Sequence, residues 1–375
     1  MLDKHVEDDM AKKKITVFLP SLADGGAERV MINIANGLID GDNISVDLLL
    51  VSAHGPYLNQ VDNRINIVDL KSKRIIFSLF KVMKYLSREK PHAVLSALDT
   101  TNILMIWAAK LSRVTSRVVI TVHCNFTNAL LGAKPVPAKV LPWLVTLFYP
   151  MADAIVSVSK GVADDLSQRT GIQRSMIEAL VNPVITPDMI EKSKKPISHS
   201  WFEKGSPPVV IGLGRLTYQK NFDLLIRAFV RVLKHHDARL LILGEGKDRA
   251  RLEELVDKEG LGEKVRLEGF VENPYPYMVN SKVFVLSSRY EGLPTVLIEA
   301  LYCTGKVVST DCPSGPEEIL ENGNLGALVP VENDIELANA IYEALASQDK
   351  TIDASHLEQY KTNNVVKKYR SILGV

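Results

Sequence analysis

Short apolar runs rich in Val and Ile recur along the chain, separated by longer stretches in which apolar residues return every three or four positions. Uninterrupted short runs fit strands buried on both faces, and the longer stretches fit crossover helices. Together they make the alternation of a parallel α/β sheet. The first half predicts strands at 15–19, 45–51, 65–68, 93–96, 117–122 and 154–159. The pattern restarts at 208–214 and continues at 239–244, 264–269, 283–288, 306–310 and 326–331. Between the halves runs "NPVITPDMIEKSKKPISHSWFEKGSPP", dense in Pro, Ser and charge, which is linker composition and puts a boundary near 183–206. The expected fold class is therefore α/β, with two doubly wound Rossmann-like domains, 14–190 and 191–354, facing each other across a cleft. A ligand belongs where the C-terminal ends of the strands open onto that cleft. Residues 355–375 read as a last helix whose host domain the pattern leaves open.

Composition narrows the function classes. The chain has 375 residues, 46% of them hydrophobic, enough for two cores. A formal charge of +1 gives no global field for nucleic acid, so none is expected as a partner. Cys124, Cys303 and Cys312 lack ligand-like spacing, which fits a reducing cytosol and argues against a thiolate metal site. Residues 1–13 read as a loose polar tail with no signal-peptide core, and no window is long and apolar enough for a membrane span. The expected location is cytoplasmic, with or without peripheral membrane attachment.

Candidate chemistry concentrates in the second half. In "GLGRLTYQKNFDLLIRAFVRVL" a strand ends near Leu213, Gly214 permits a tight departure and Asn221 suits a helix N-cap. Arg215 and Lys220 then flank a helix N-terminus, a layout that suits a diphosphate. "LILGEGKDRARLEEL" repeats strand, glycine turn and helix. Gly244 is read either as turn chemistry or as a close approach for a base or ribose. At the next strand end, Phe270 and Val271 offer main chain to a nucleobase, or else Phe270 is core. In "RYEGLPTVLIEAL", Gly292 and Pro294 divide a loop carrying Glu291 from a helix carrying Glu299. In a continuous helix the two acids would stand about 12 Å apart. They are therefore no acid/base pair on one atom, but two readers of hydroxyls, with the N–H groups of the helix start between them.

In the first half, "LPSLADGGAERVMINIANGL" sets Gly25 and Gly26 between a strand and a helix. It lacks the G-x-G-x-x-G dinucleotide fingerprint, which argues against a nicotinamide cofactor. His123 stands just beyond a strand, where a lone histidine is commonly structural. Asp99 is a weaker candidate of the same sort, and Ser159 reads as a helix cap. Residues 71–90 carry seven Lys/Arg against one acid. Ile76, Leu79, Phe80, Met83 and Leu86 are expected on the apolar face, and Lys81, Lys84 and Arg88 on the other. This is either a basic helix packed on its own sheet or a dock for an anionic membrane surface. In "VLPWLVTLFYPM", Trp143, Phe148 and Tyr149 are either core or a belt towards lipid.

Glu291-x7-Glu299, preceded by "GRLTYQKNFDLLI" and "LGEGKDRARLEEL" and followed by Gly315, Pro316, Glu318 and Ile319, resembles the retaining glycosyltransferases of family 4, of GT-B type. The resemblance spans roughly 208–345, with four motifs in family order. It implies a sugar moved from a nucleotide-sugar donor, commonly UDP-linked, to a hydroxyl of a glycan or polyprenyl-diphosphate-linked acceptor in polysaccharide or glycoconjugate synthesis. Arg215 and Lys220 would lie on the diphosphate, Glu291 near the sugar hydroxyls and Glu299 on the ribose. The donor would also lie against Gly25, Gly26, Gly214, Gly244, Phe270, Val271, Gly292, Leu293, Pro294 and Thr295. His123, Arg215, Lys220 and Glu291 would carry the catalytic roles. His123 and Asp99 would face the acceptor, and the final helix, from about 355, would cross back to the first domain. No metal or other cofactor is expected; the Asp-x-Asp at Asp40-Gly41-Asp42 lies outside the stretch that carries the resemblance. Two further readings stay open: a nucleotide-sugar epimerase on the same scaffold, and a non-catalytic protein that binds sugar nucleotides or a membrane surface.

Overall fold

The computed structural model describes residues 12–23, 25–41, 43–127, 135–348 and 352–375; most of the 1–13 tail lies outside them. Among the described residues, two parallel sheets form the framework. The first holds β1 (Lys13–Leu19), β2 (Ile44–Leu50), β3 (Asn66–Asp69), β4 (Ala93–Ala97), β5 (Arg117–Val122), β6 (Ala154–Ser157) and β7 (Ile177–Ala179), in the order β3-β2-β1-β4-β5-β6-β7. The second holds β8 (Val209–Leu213), β9 (Arg239–Leu243), β10 (Val265–Gly269), β11 (Val283–Leu286), β12 (Val307–Thr310) and β13 (Ala327–Val329), in the order β10-β9-β8-β11-β12-β13. The Val/Ile/Leu runs are strands because helices cover both sheet faces: β4 and β11 are buried along their whole length. Strand order reverses between β1 and β4 in one sheet and between β8 and β11 in the other, with all strands parallel. These are the two switch points where α/β sheets hold ligands.

Strand β7 is too short to show as a hydrophobic run. It is held as an edge strand, with Ile155 opposite Ile177 and Ser157 opposite Ala179. The chain crosses to the second sheet just beyond it and returns near residue 361. At this hinge the two crossings pair: Val184 and Ile185 donate their N–H groups to Tyr360 O, each at 3.0 Å, and Ile185 bridges Lys361. Helix Thr362–Leu373 then lies on helix Gly26–Ile39 of the first domain, adding Val365, Val366 and Tyr369 to the core behind β1. Gly37 lets the two helices approach, since a Cβ there would sit 2.5 Å from Val366 Cγ2.

The basic segment departs from its expected face. A 3-10 turn, Ile75–Ser78, precedes helix Leu79–Glu89 and rotates the register, so Val82, Tyr85 and Leu86 face the core. Ile76 and Phe80, expected on that face, are exposed, Phe80 at 80%. Tyr149 is core, while Trp143 is 64% exposed on helix Pro135–Phe148.

Candidate active site

The β8 exit loop brings Lys220 under the loop that follows β11. Lys220 Nζ lies 2.6 Å from Glu291 Oε1, and the same oxygen accepts from Ser288 Oγ at 2.6 Å. Glu291 is thus buried, paired and hydrogen-bonded, which fixes its orientation at the sheet's switch point. Asn221 occupies the N-cap position of helix Phe222–Val232 but makes no side-chain cap bond. Its φ of 50° is left-handed, a conformation that Asn tolerates better than most residues, and this lets Lys220 turn inward. Arg215 is exposed on the same loop, close enough to Cys124 and Tyr290 for its charge to act on both.

Glu299, one turn inside helix Thr295–Cys303, points the other way. Its Oε1 takes a 2.6 Å ion pair from Arg29 of the first domain and accepts from Tyr275 OH at 3.4 Å. Its Oε2 makes no hydrogen bond with the described residues. Three further contacts join the domains. Ser159 Oγ donates to Gly292 O at 3.0 Å while accepting from Val162 N as a helix cap. Asn125 Nδ2 donates to Ser314 Oγ at 3.1 Å. The Glu318 carboxylate accepts from Lys160 N at 3.0 Å and Gly161 N at 2.8 Å, capping a helix of the opposite domain. Gly292 passes so close to the first domain that a Cβ there would lie 2.1 Å from His123 O.

Residues 24–186 match the family model described as Glycosyltransferase Family 4, and residues 193–364 match Glycosyl transferases group 1. Over 93% of its length the chain is 30% identical to the N-acetylgalactosamine-N,N'-diacetylbacillosaminyl-diphospho-undecaprenol 4-alpha-N-acetylgalactosaminyltransferase of Campylobacter jejuni, covering 94% of that protein. The chain is a group 1 glycosyltransferase. A second Campylobacter jejuni relative, a GalNAc-alpha-(1->4)-GalNAc-alpha-(1->3)-diNAcBac-PP-undecaprenol alpha-1,4-N-acetyl-D-galactosaminyltransferase, is 31% identical, with 88% of each chain covered. Among solved structures, HepE of Anabaena in complex with UDP and glucose superposes with a TM-score of 0.77 at 19% identity, covering 96% of this chain and 99% of that one, which bears on the fold.

In the glycosyltransferase, His123 and Asp99 reach the cleft from adjacent strand ends. Burial holds the His123 imidazole down at about 4, so it is neutral at physiological pH. Thr121 Oγ1 donates to Ser96 O at 2.9 Å and lies 2.9 Å from His123 Nε2. With the hydroxyl proton committed, Nε2 is the donor to Thr121, and Nδ1 keeps the lone pair. Burial pushes the Asp99 carboxyl up, opposed by the hydrogen bond it accepts from Tyr149 OH at 2.6 Å. Leu98, just before it, has φ 73° and ψ 135°, a strained turn that swings Asp99 to the head of its helix. Cys124, accessible within the cleft, is raised to about 11, first by burial and then by Asp99 and Glu291, with Arg215 opposing. Its surroundings show charged groups of both domains converging there.

The glycines serve backbone packing. A Cβ on Gly244 would sit 2.0 Å from Gly214 O, so the β8 and β9 exit loops touch main chain to main chain. Gly26 has open space around its Cα and lines a small hollow with Arg29 and Glu299. Phe270 is not core: its ring is 73% exposed at the end of β10. Arg29, Tyr275 and Ser288 join the site without a signal in the sequence reading, whereas Glu318 stood in the motif with Gly315, Pro316 and Ile319.

Proposed function

We propose that this glycosyltransferase moves a sugar from a UDP-linked donor to a hydroxyl of a glycan or polyprenyl-diphosphate-linked acceptor, with retention at the anomeric carbon. The observation that carries the reading is the Lys220–Glu291 pair, its carboxylate buried, at the second sheet's switch point, with Arg215 exposed on the same loop. The C1–O bond to the diphosphate breaks as C1 bonds the acceptor oxygen, and the acceptor's proton passes to the departing phosphate. Arg215, Lys220 and the N–H groups of Leu293 and Thr295 balance the charge gathering on that phosphate without a metal. Glu291 reads the sugar hydroxyls, Glu299 Oε2 the ribose, and the exposed Phe270 ring with Val271 the base. His123 Nδ1 accepts from a sugar hydroxyl, and Asp99 orients the acceptor. Closure on the Gly292–His123 contact excludes water that would hydrolyse the donor.

Relatives that act on diphospho-undecaprenol-linked sugars support the acceptor class, and the UDP complex of HepE supports the donor class. Work at the cytoplasmic face of a membrane fits the first domain, where exposed Phe77 and Phe80 share a segment with exposed Lys73, Arg74 and Lys84, and Trp143 is exposed on a separate helix. Each such cation near an anionic surface is worth roughly 1 kcal/mol. Among the described residues no helix is long and apolar enough to cross a membrane. A thermal-shift screen across UDP-, GDP- and ADP-sugars tests the donor, and stabilisation by ADP- or GDP-sugars alone would overturn the UDP assignment. Sedimentation with phosphatidylglycerol vesicles tests attachment, which a Phe80→Ser, Trp143→Ser double variant is expected to abolish.

A further inference from the structure

Tyr218 stands between Arg215 and Lys220 on the β8 exit loop with 61% of its surface exposed. An exposed ring on a loop is ordinarily mobile, but this one is held from several sides. The Arg289 guanidinium lies 4.0 Å from the ring centroid, covering one face, and donates through Nη1 to Tyr218 O. Arg289 is itself fixed, pairing with Glu332 and donating its backbone N–H to Gln219 O at 2.8 Å. Gln219 Nε2 in turn donates to Tyr290 O at 3.0 Å. The result is a rigid aromatic plate with one face supported and the other turned to solvent, a preorganised surface for a flat partner.

Its place limits what that partner is. In the second sheet the order β10-β9-β8-β11 puts exposed Phe270, after β10, on one side of the phosphate-facing loop. Tyr218, after β8, and Arg289, after β11, stand over the switch point itself. The neighbouring Tyr290 phenol, raised first by burial, feels Glu291, Tyr218, Cys124 and Arg215, so this corner of the second domain reaches the His123–Cys124 strand end of the first. The plate therefore borders the cleft between the two domains, two strands away from Phe270. Arg289, Glu332 and Gln219 ring it with hydrogen-bonding groups. A lipid tail would need contiguous apolar surface there. A pyranose offers what the plate lacks, a flat C–H face with hydroxyls at its rim.

We infer that Tyr218 stacks against a sugar ring of the acceptor, with Arg289 as its positioning residue, which makes the acceptor a saccharide at the end that reacts. This rests on the glycosyl-transfer reading above. The test uses the full chain with saturating UDP on an array of immobilised mono-, di- and trisaccharides of hexoses and N-acetylhexosamines. UDP affinity is measured in parallel by calorimetry. The wild type is expected to capture a subset of these saccharides, Tyr218→Ala to lose that capture at least tenfold, and Tyr218→Trp and Tyr218→Phe to keep it, all with UDP affinity unchanged. Equal capture by wild type and Tyr218→Ala, or no capture by the wild type, overturns the inference. Capture that depends on Tyr218 in a protein that binds no UDP would instead retain the plate and overturn the donor assignment.

Discussion

Arg29 and Glu299, 270 positions apart in the chain, form a 2.6 Å ion pair that joins the two domains at the cleft. Glu299 pushes the Arg29 guanidinium still higher than its usual range, so the guanidinium stays charged at any working pH. Because the carboxylate is buried, removing one partner strands the other. Arg29→Met and Glu299→Gln should each lower the thermal melt, and the double variant should fall short of their sum. The expected coupling is about 1–3 kcal/mol. Simple additivity in urea titrations of the four proteins would show the pair to be incidental.

Arg215 and Lys220 occupy one loop in different surroundings, and their removal should differ accordingly. Either substitution by Met is expected to lower transfer by about two to three orders of magnitude, equivalent to roughly 3–4 kcal/mol in the transition state. Only Lys220→Met should also lower the melt, since it leaves buried Glu291 without its cation. Product formation and melting curves measured on the same samples check both halves.

Gly292→Ala is a test of closure. The added methyl would meet the His123 carbonyl oxygen at 2.1 Å, a contact the first domain can relieve only by moving away. Transfer should fall at least ~100-fold, the order expected from a displacement of about 1 Å at the chemistry. UDP binding, which the proposed function assigns to the second domain, should change little. Loss of both together would mean that the second domain itself is disturbed.

His123 gives a pH signature. With its folded value at about 4 and an ordinary unfolded value of about 6.5, the unfolded chain binds more protons between those limits. The neutral ring's contribution to stability is therefore intact above about pH 6.5 and is lost as pH falls towards 4. His123→Asn should flatten that part of the stability curve. Superimposable slopes in denaturant titrations from pH 6.5 to 4 would contradict the assignment.

Much of this arrangement is legible in the chain. Buried strands read as Val/Ile runs, and loop-to-helix transitions read from Gly214, Gly292 and Pro294, because these depend on neighbours in sequence. The Arg29–Glu299 pair and the capping of Lys160 and Gly161 by Glu318 depend on how two finished domains dock, and no local pattern encodes that. Strand β7 escaped because three residues carry no period. Phe80 was misplaced because helical spacing fixes relative faces, whereas the 3-10 turn at Ile75–Ser78 fixes which of them meets the core.

Helix Thr362–Leu373 has a consequence for how the protein is made. It completes the packing behind Ile34 and Leu38, yet it is synthesised only after the whole of the second domain. At about 5–20 residues per second, the intervening stretch occupies the ribosome for on the order of 10–40 s. Throughout that interval the first domain carries an uncovered apolar flank, while the second domain folds tethered to it. Chaperone demand should therefore peak late in translation, and a nonsense codon within the second domain leaves the first without its last helix rather than sparing it.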